Sequence, residues 1–111
     1  MGRAKNKPLG ETQKSYSVVL KRRAELDLDR AYKWYENTRE DLGVEFLLEF
    51  DACVNQLLQH PLAASVVYRD ARRKTMKRFP YKIVYRVKRS TLRILTVVHY
   101  SRAEKIWKRA V

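Results

Sequence analysis

The chain has 111 residues, a formal net charge of +13 and an apolar share of 45%. That length fits one domain with a single modest core, and the apolar content is too rich for a disordered chain. One cysteine, Cys53, excludes an internal disulfide, and no stretch reaches the about 18 apolar residues that a membrane-spanning helix requires. Residues 1–60 hold ten Lys/Arg against ten Asp/Glu, whereas residues 61–111 hold fifteen against only Asp70 and Glu104. A field that lopsided points to a polyanion or an acidic protein surface as partner.

Residues 1–14 carry Gly2, Pro8, Gly10 and four basic residues with little to bury. They read as a flexible basic tail, leaving 15–111 as the single folded domain. No apolar stretch follows the basic start, so it is not a secretory signal and a cytoplasmic location is expected. Residues 16–20 form a short β-branched run and predict a first strand.

A helix is predicted over 23–38, where Ala24, Leu28, Ala31 and Tyr35 recur at helical spacing behind an acidic first turn. Asp41-Leu42-Gly43 reads as a break, with Gly43 supplying the freedom for a tight connection. A second helix over 44–59 buries Leu47, Phe50, Val54, Leu57 and Leu58, with Cys53 as a small core residue among them. His60-Pro61 ends it, because the residue before proline resists helical geometry.

After a loop at 62–70 the apolar period changes from 3.6 to 2. Residues 74–79 read as a basic strand. In 81–88, Tyr81, Ile83, Tyr85 and Val87 share one face, leaving Lys82, Arg86 and Lys88 on the other. A turn at 89–91 leads to a strand over 92–99 that places Arg93, Leu95, Val97 and His99 on one side. A short helix over 103–109 carries Trp107. The expected fold is α+β: an N-terminal strand, a helical hairpin on one face of a three- to four-stranded antiparallel sheet, and a short C-terminal helix.

On this reading Lys82, Arg86, Lys88, Arg93 and His99 share the sheet's free face, with Arg73, Lys77 and Arg78 upstream and Tyr100 and Arg102 beside His99. Clustered cations favour a neutral imidazole. Such a set suits metal-free RNA cleavage: His99 or Tyr100 moves protons while Lys82, Arg86 and Arg102 hold phosphate. The plainer alternative is a basic face that binds an acidic partner, and a third is a nucleic-acid module making phosphate contacts alone. A phosphate-binding glycine loop, a metal-ligand spacing and a nucleophile-elbow serine are all missing from the sequence, so neither cofactor nor metal is expected. Trp34, Tyr35 and Trp107 read as core or groove lining.

Several features together resemble the RelE/ParE superfamily of toxins from bacterial type II toxin–antitoxin (plasmid stabilisation) systems, across residues 16–109. They are Ala31 with Trp34-Tyr35-Glu36, Leu42-Gly43 with Phe46, His60-Pro61, Arg78-Phe79-Pro80-Tyr81-Lys82-Ile83-Val84-Tyr85, and Val98-His99-Tyr100-Ser101-Arg102 leading to Trp107. The resemblance implies a toxin held inactive by an antitoxin. RelE-like members cut mRNA on the ribosome, whereas ParE-like members inhibit DNA gyrase. By resemblance, Lys82 stands where RelE-like toxins carry a catalytic arginine, Lys77 matches a functional lysine, and Arg102 matches their C-terminal arginine. Their catalytic tyrosine falls near Trp107-Lys108, where none stands. The Phe-Pro-Tyr strand opening and the histidine closing the last strand look ParE-like, so gyrase inhibition is the preferred expectation over ribosome-dependent cleavage.

Overall fold

A computed structural model describes residues 16–111 of the chain; the tail expected at 1–14 lies outside them. The elements run β1 (Ser17–Leu20), α1 (Arg22–Thr38), α2 (Leu42–Gln59), β2 (Val66–Tyr68), β3 (Ala71–Thr75), β4 (Tyr81–Lys88), β5 (Thr91–His99) and α3 (Glu104–Lys108). The α+β class holds, with α1 and α2 packed on one face of the sheet. The sheet is larger than expected and mixed: five strands in the order β1-β5-β4-β3-β2, with β1 parallel to β5 and every other pair antiparallel. None of the helices in the described region is long and apolar enough to cross a membrane.

The α1 stripe falls where the periodicity puts it, whereas the α2 stripe is centred on Phe46, Phe50, Cys53 and Leu57, with the expected Leu47, Val54 and Leu58 only partly buried at its margin. Ala24, Leu28 and Ala31 of α1 and Phe46, Phe50, Cys53 and Leu57 of α2 enter the core, with Tyr35 packed against it. Tyr35, Phe46, Phe79 and Tyr81 meet as an aromatic cluster, with Phe46 edge-on to Phe79 at 5.2 Å between ring centres. The connection between helices differs from the expectation. Asp41, not Gly43, takes the left-handed backbone, at φ 69°. Gly43 lies within the first turn of α2, where an added Cβ would sit 2.6 Å from the Tyr32 carbonyl oxygen. Its role is close approach of two helices. Glu36 then accepts from the backbone N–H groups of Asp41 and Gly43, each at 2.9 Å, and so caps the new helix from its neighbour.

The strand expected over 74–79 lies earlier in the chain, at Ala71–Thr75. Met76 and Phe79 both enter the core from the connection that follows, a spacing of three that no strand can bury on one face. The N–H groups of Lys77 and Arg78 turn instead to the Glu49 carboxylate of α2, at 2.9 and 3.0 Å. Within the expected loop at 62–70, Val66–Tyr68 pairs with β3 through a turn in which Arg69 has φ 54°. Arg72 and Tyr85 hold the adjoining segment by donating to the carbonyls of Leu62, Ala64 and Pro61.

Candidate functional site

The position of each candidate side chain depends on one irregularity. Along β4 and β5, Tyr85 pairs with Ile94 but the preceding Val84 pairs with Thr96, so Leu95 is an extra residue in β5. A bulge of this kind shifts the alternation by one position and turns every later side chain to the other face. Arg93, opposite Arg86, points away from the helices. Val97 and His99, opposite Ile83 and Tyr81, point toward them. The expectation that Arg93, Leu95, Val97 and His99 share one side is therefore corrected at Leu95. His99 and Lys82 stand on opposite faces of the sheet.

The face turned from the helices is not a uniform cationic surface. Its centre is a second apolar cluster of Ala71, Val84, Leu95, Val98 and Trp107, the indole being 1% exposed beneath the C-terminal segment. Cations form the margin. Lys82 sits opposite Val98, Arg86 opposite Arg93, Lys88 opposite Thr91 and Arg73 opposite Val84. Like charges directly across a ladder repel. Asp70 relieves this pair by accepting from Arg86 Nε and Nη2 at 3.1 and 3.0 Å. The hydrogen bond from Arg86 holds the Asp70 carboxyl below its ordinary value. Arg93 and Trp107 each keep a buried nitrogen, Nε and Nε1, without a hydrogen-bond partner in the described region.

Lys77 and Arg78 belong to neither face in the expected sense. Arg78 Nη2 donates to Glu45 at 2.8 Å and its guanidinium lies over the Phe79 ring. Arg39 meets the same carboxylate at 3.3 Å, and these two cations hold Glu45 below its ordinary value, the Arg78 hydrogen bond first. Lys77 lines a small crevice with Glu49 and Cys53. Cys53 is buried as the sequence predicts, and burial pushes its thiol up.

On the helix side, His99 and Arg102 enter a groove between α1 and the end of β5, whose α1 wall includes Arg23, Asp27, Arg30 and Trp34. The His99 ring packs edge-on against Tyr81 at 5.2 Å. His99 Nδ1 accepts the backbone N–H of Ser101 at 3.0 Å, which leaves Nε2–H as the donor. Burial raises the Tyr81 phenol above its ordinary value, so it serves as a neutral hydroxyl. Tyr100 is committed elsewhere, its hydroxyl donating to the Met76 carbonyl at 3.2 Å and its N–H to the Pro80 carbonyl at 2.8 Å. Of the four residues expected to act together, the fold thus brings together His99 and Arg102, and separates Lys82 and Tyr100.

Asp27 is the residue that sequence reasoning missed. The parallel pairing of β1 with β5 stops at Ile94, leaving the following edge of β5 open. Asp27 Oδ2 closes it, accepting from Thr96 Oγ at 2.5 Å and from the Val97 N–H at 3.0 Å. The available signal was an acidic residue four positions after Arg23 and one before the buried Leu28, which looks like any helix-surface charge.

The family model described as "ParE toxin of type II toxin-antitoxin system, parDE" matches residues 18–104. No curated protein matches significantly. Among solved structures, the chromosomal ParDE system of P. aeruginosa aligns at 26% identity and TM-score 0.67, over 77% of this chain and 96% of that one. The RelBE2 toxin–antitoxin complex of Mycobacterium tuberculosis aligns at 22% identity and TM-score 0.53, over 77% and 98%. An arginine-to-alanine double variant of the E. coli RelE toxin in the free state aligns at 15% identity and TM-score 0.55, over 86% and 94%. These last two share the fold. With a family match that spans β1 to the start of α3, the chain belongs to the ParE toxin family of type II toxin–antitoxin systems.

Proposed function

We propose that this toxin acts on DNA gyrase and is held inactive by a cognate antitoxin. The observation that carries this reading is the match to the ParE toxin family across residues 18–104. The geometry favours it over the ribonuclease reading in one respect. Cleavage of RNA needs proton-moving and phosphate-holding groups around one phosphate; of the expected set only His99 and Arg102 share a groove, and the body of the sheet lies between them and Lys82. The remaining proton-moving candidate, Tyr100, is turned to the Met76 carbonyl.

The cations at the sheet margin have a role that requires no catalysis. Lys82, Lys88, Arg73 and Arg93 ring the outer apolar cluster, and Arg86 joins them with part of its charge offset by Asp70. A cationic rim around a small apolar centre suits an acidic, amphipathic segment, which is the chemistry proposed for the antitoxin. An adjacent or overlapping short reading frame encoding such a chain is expected, and its co-expression should restore growth.

The deciding experiment adds the purified chain to a gyrase supercoiling assay and, in parallel, to programmed ribosomes. Blocked supercoiling with intact mRNA is the expected result. Ribosome-dependent mRNA cleavage that is lost in Arg102→Ala, with supercoiling unaffected, would replace gyrase with the ribosome as target.

A further inference from the structure

The stripe that seats α1 on the sheet has a second stripe beside it, one residue earlier along the chain. Arg23, Asp27, Arg30 and Trp34 recur at the same helical spacing as Ala24, Leu28, Ala31 and Tyr35. This second stripe forms one wall of the groove of about 320 Å³ that Tyr81, His99 and Arg102 close from the sheet side. Three features of its lining are left over from the contacts that hold the fold.

Trp34 is 68% exposed, the most exposed of the large apolar side chains in the described region. An indole left in water on a well-packed helix marks a contact surface rather than a core. Arg30 and Arg102 line the same groove, and neither has an ion-pair partner in the described region. The floor offers both kinds of hydrogen-bonding group. His99 presents Nε2–H, since Nδ1 is engaged by Ser101. Asp27 spends Oδ2 on β5, while among the described residues its Oδ1 has only a long ion pair, to Arg23 Nε at 3.9 Å.

We propose that this groove binds one nucleotide unit, its base stacked on Trp34 and its phosphate held by Arg30 and Arg102. Guanidinium groups take phosphate oxygens in a planar fork, and an indole stacks on any base. Asp27 Oδ1 and His99 Nε2–H then face the base edge as acceptor and donor. An acidic peptide satisfies the arginines equally, but its flexible side chains offer neither a rigid flat face for the indole nor a donor and an acceptor together on one planar edge. That asymmetry selects a nucleotide over a carboxylate ligand. The inference stands apart from the gyrase reading, because it concerns binding by the isolated chain and not the fate of supercoiling.

The test titrates the full chain and each variant with deoxycytidine monophosphate and with a short single-stranded oligodeoxycytidine, following binding heat by calorimetry throughout and tryptophan fluorescence in the chains that keep Trp34. Trp107 is buried, so quenching reports Trp34. Trp34→Ala, Arg30→Ala and Arg102→Ala remove exposed side chains and should keep the fold, which circular dichroism checks. Arg109→Ala, also exposed and outside the groove, is the charge-matched control. The expected result is that each groove variant weakens binding of the oligomer about tenfold, with the control changing it about twofold or less. Binding of the monophosphate with the same pattern identifies a free nucleotide as sufficient, and binding of the oligomer alone identifies a strand. Equal weakening by Arg30→Ala and Arg109→Ala, with no effect of Trp34→Ala, would mean diffuse charge attraction and overturn the proposal. Absence of binding, or equal competition by polyglutamate, overturns it as well.

Discussion

Beneath the helices, fourteen buried residues drawn from both long helices, two strands and the connection between β3 and β4 interlock around Phe46, Tyr85 and Ile83. On the reverse face only Ala71, Val84, Leu95, Val98 and Trp107 are buried together, with Tyr68, Val67 and the last two residues packed around them. The same strands furnish both surfaces. The inner one is closed by two amphipathic helices that repeat every turn, and the outer one by a five-residue helix delivering a single indole. The difference explains how a domain can carry so much positive charge and still fold. Apolar burial occupies the inner face and a small island outside, and the cations remain at the island's rim where water solvates them, apart from the buried Nε of Arg93.

Several measurements break or sharpen that contrast. Phe46→Ala should cost about 4 kcal/mol in chemical denaturation, since it opens a cavity in the middle of an aromatic cluster that cannot collapse. Trp107→Ala should cost about 3 kcal/mol, less than its size implies, because a thin outer cluster can settle. Equal or reversed costs would mean that the outer island is no satellite but a core of its own. Asp27→Ala should cost about 2 to 3 kcal/mol, leaving Thr96 Oγ and the Val97 N–H without a partner at the edge of β5. Hydrogen exchange should report that loss first at Val97.

Gly43→Ala should cost about 2 kcal/mol, as its methyl group meets the Tyr32 backbone carbonyl. The smallest effect is on acid stability. Glu45 and Asp70 are both held below their ordinary values of 4.5 and 3.8 by arginine partners. A depressed carboxylate contributes stability above its unfolded value and loses it as pH falls through the folded one. Unfolding midpoints should therefore decline slightly below about pH 4, and Glu45→Gln should flatten part of that decline.

How much of this was legible in the sequence depends on whether the signal repeats. Both helices, the buried stripe of α1, the helix stop at His60-Pro61 and the strands around Tyr81 and Val97 follow from local patterns, while the α2 stripe is turned toward Phe46 and away from Leu47, Val54 and Leu58. The helix-facing set Tyr81, Ile83, Tyr85 and Val87 follows from such a pattern as well. The misread features are single events. Asp41 adopts the left-handed turn expected of Gly43, Met76 and Phe79 break the strand period, and β2 is too short to show alternation. The candidate site suffered most, because one unpaired residue governs where His99 points.

By itself, then, the amino-acid order determined both long helices, the two central strands, the apolar side of α1, and that the excess positive charge is confined to the second half. Those are properties of a segment and its own periodicity, and they survive whatever the segment packs against. Folding in three dimensions decided that β1 runs parallel to β5, that Asp27 closes the strand edge left open beyond it, and that Leu95 shifts the last strand by one residue. Each depends on a partner distant in the chain. A one-position change of phase leaves composition and periodicity almost untouched while moving an imidazole from one face of a sheet to the other.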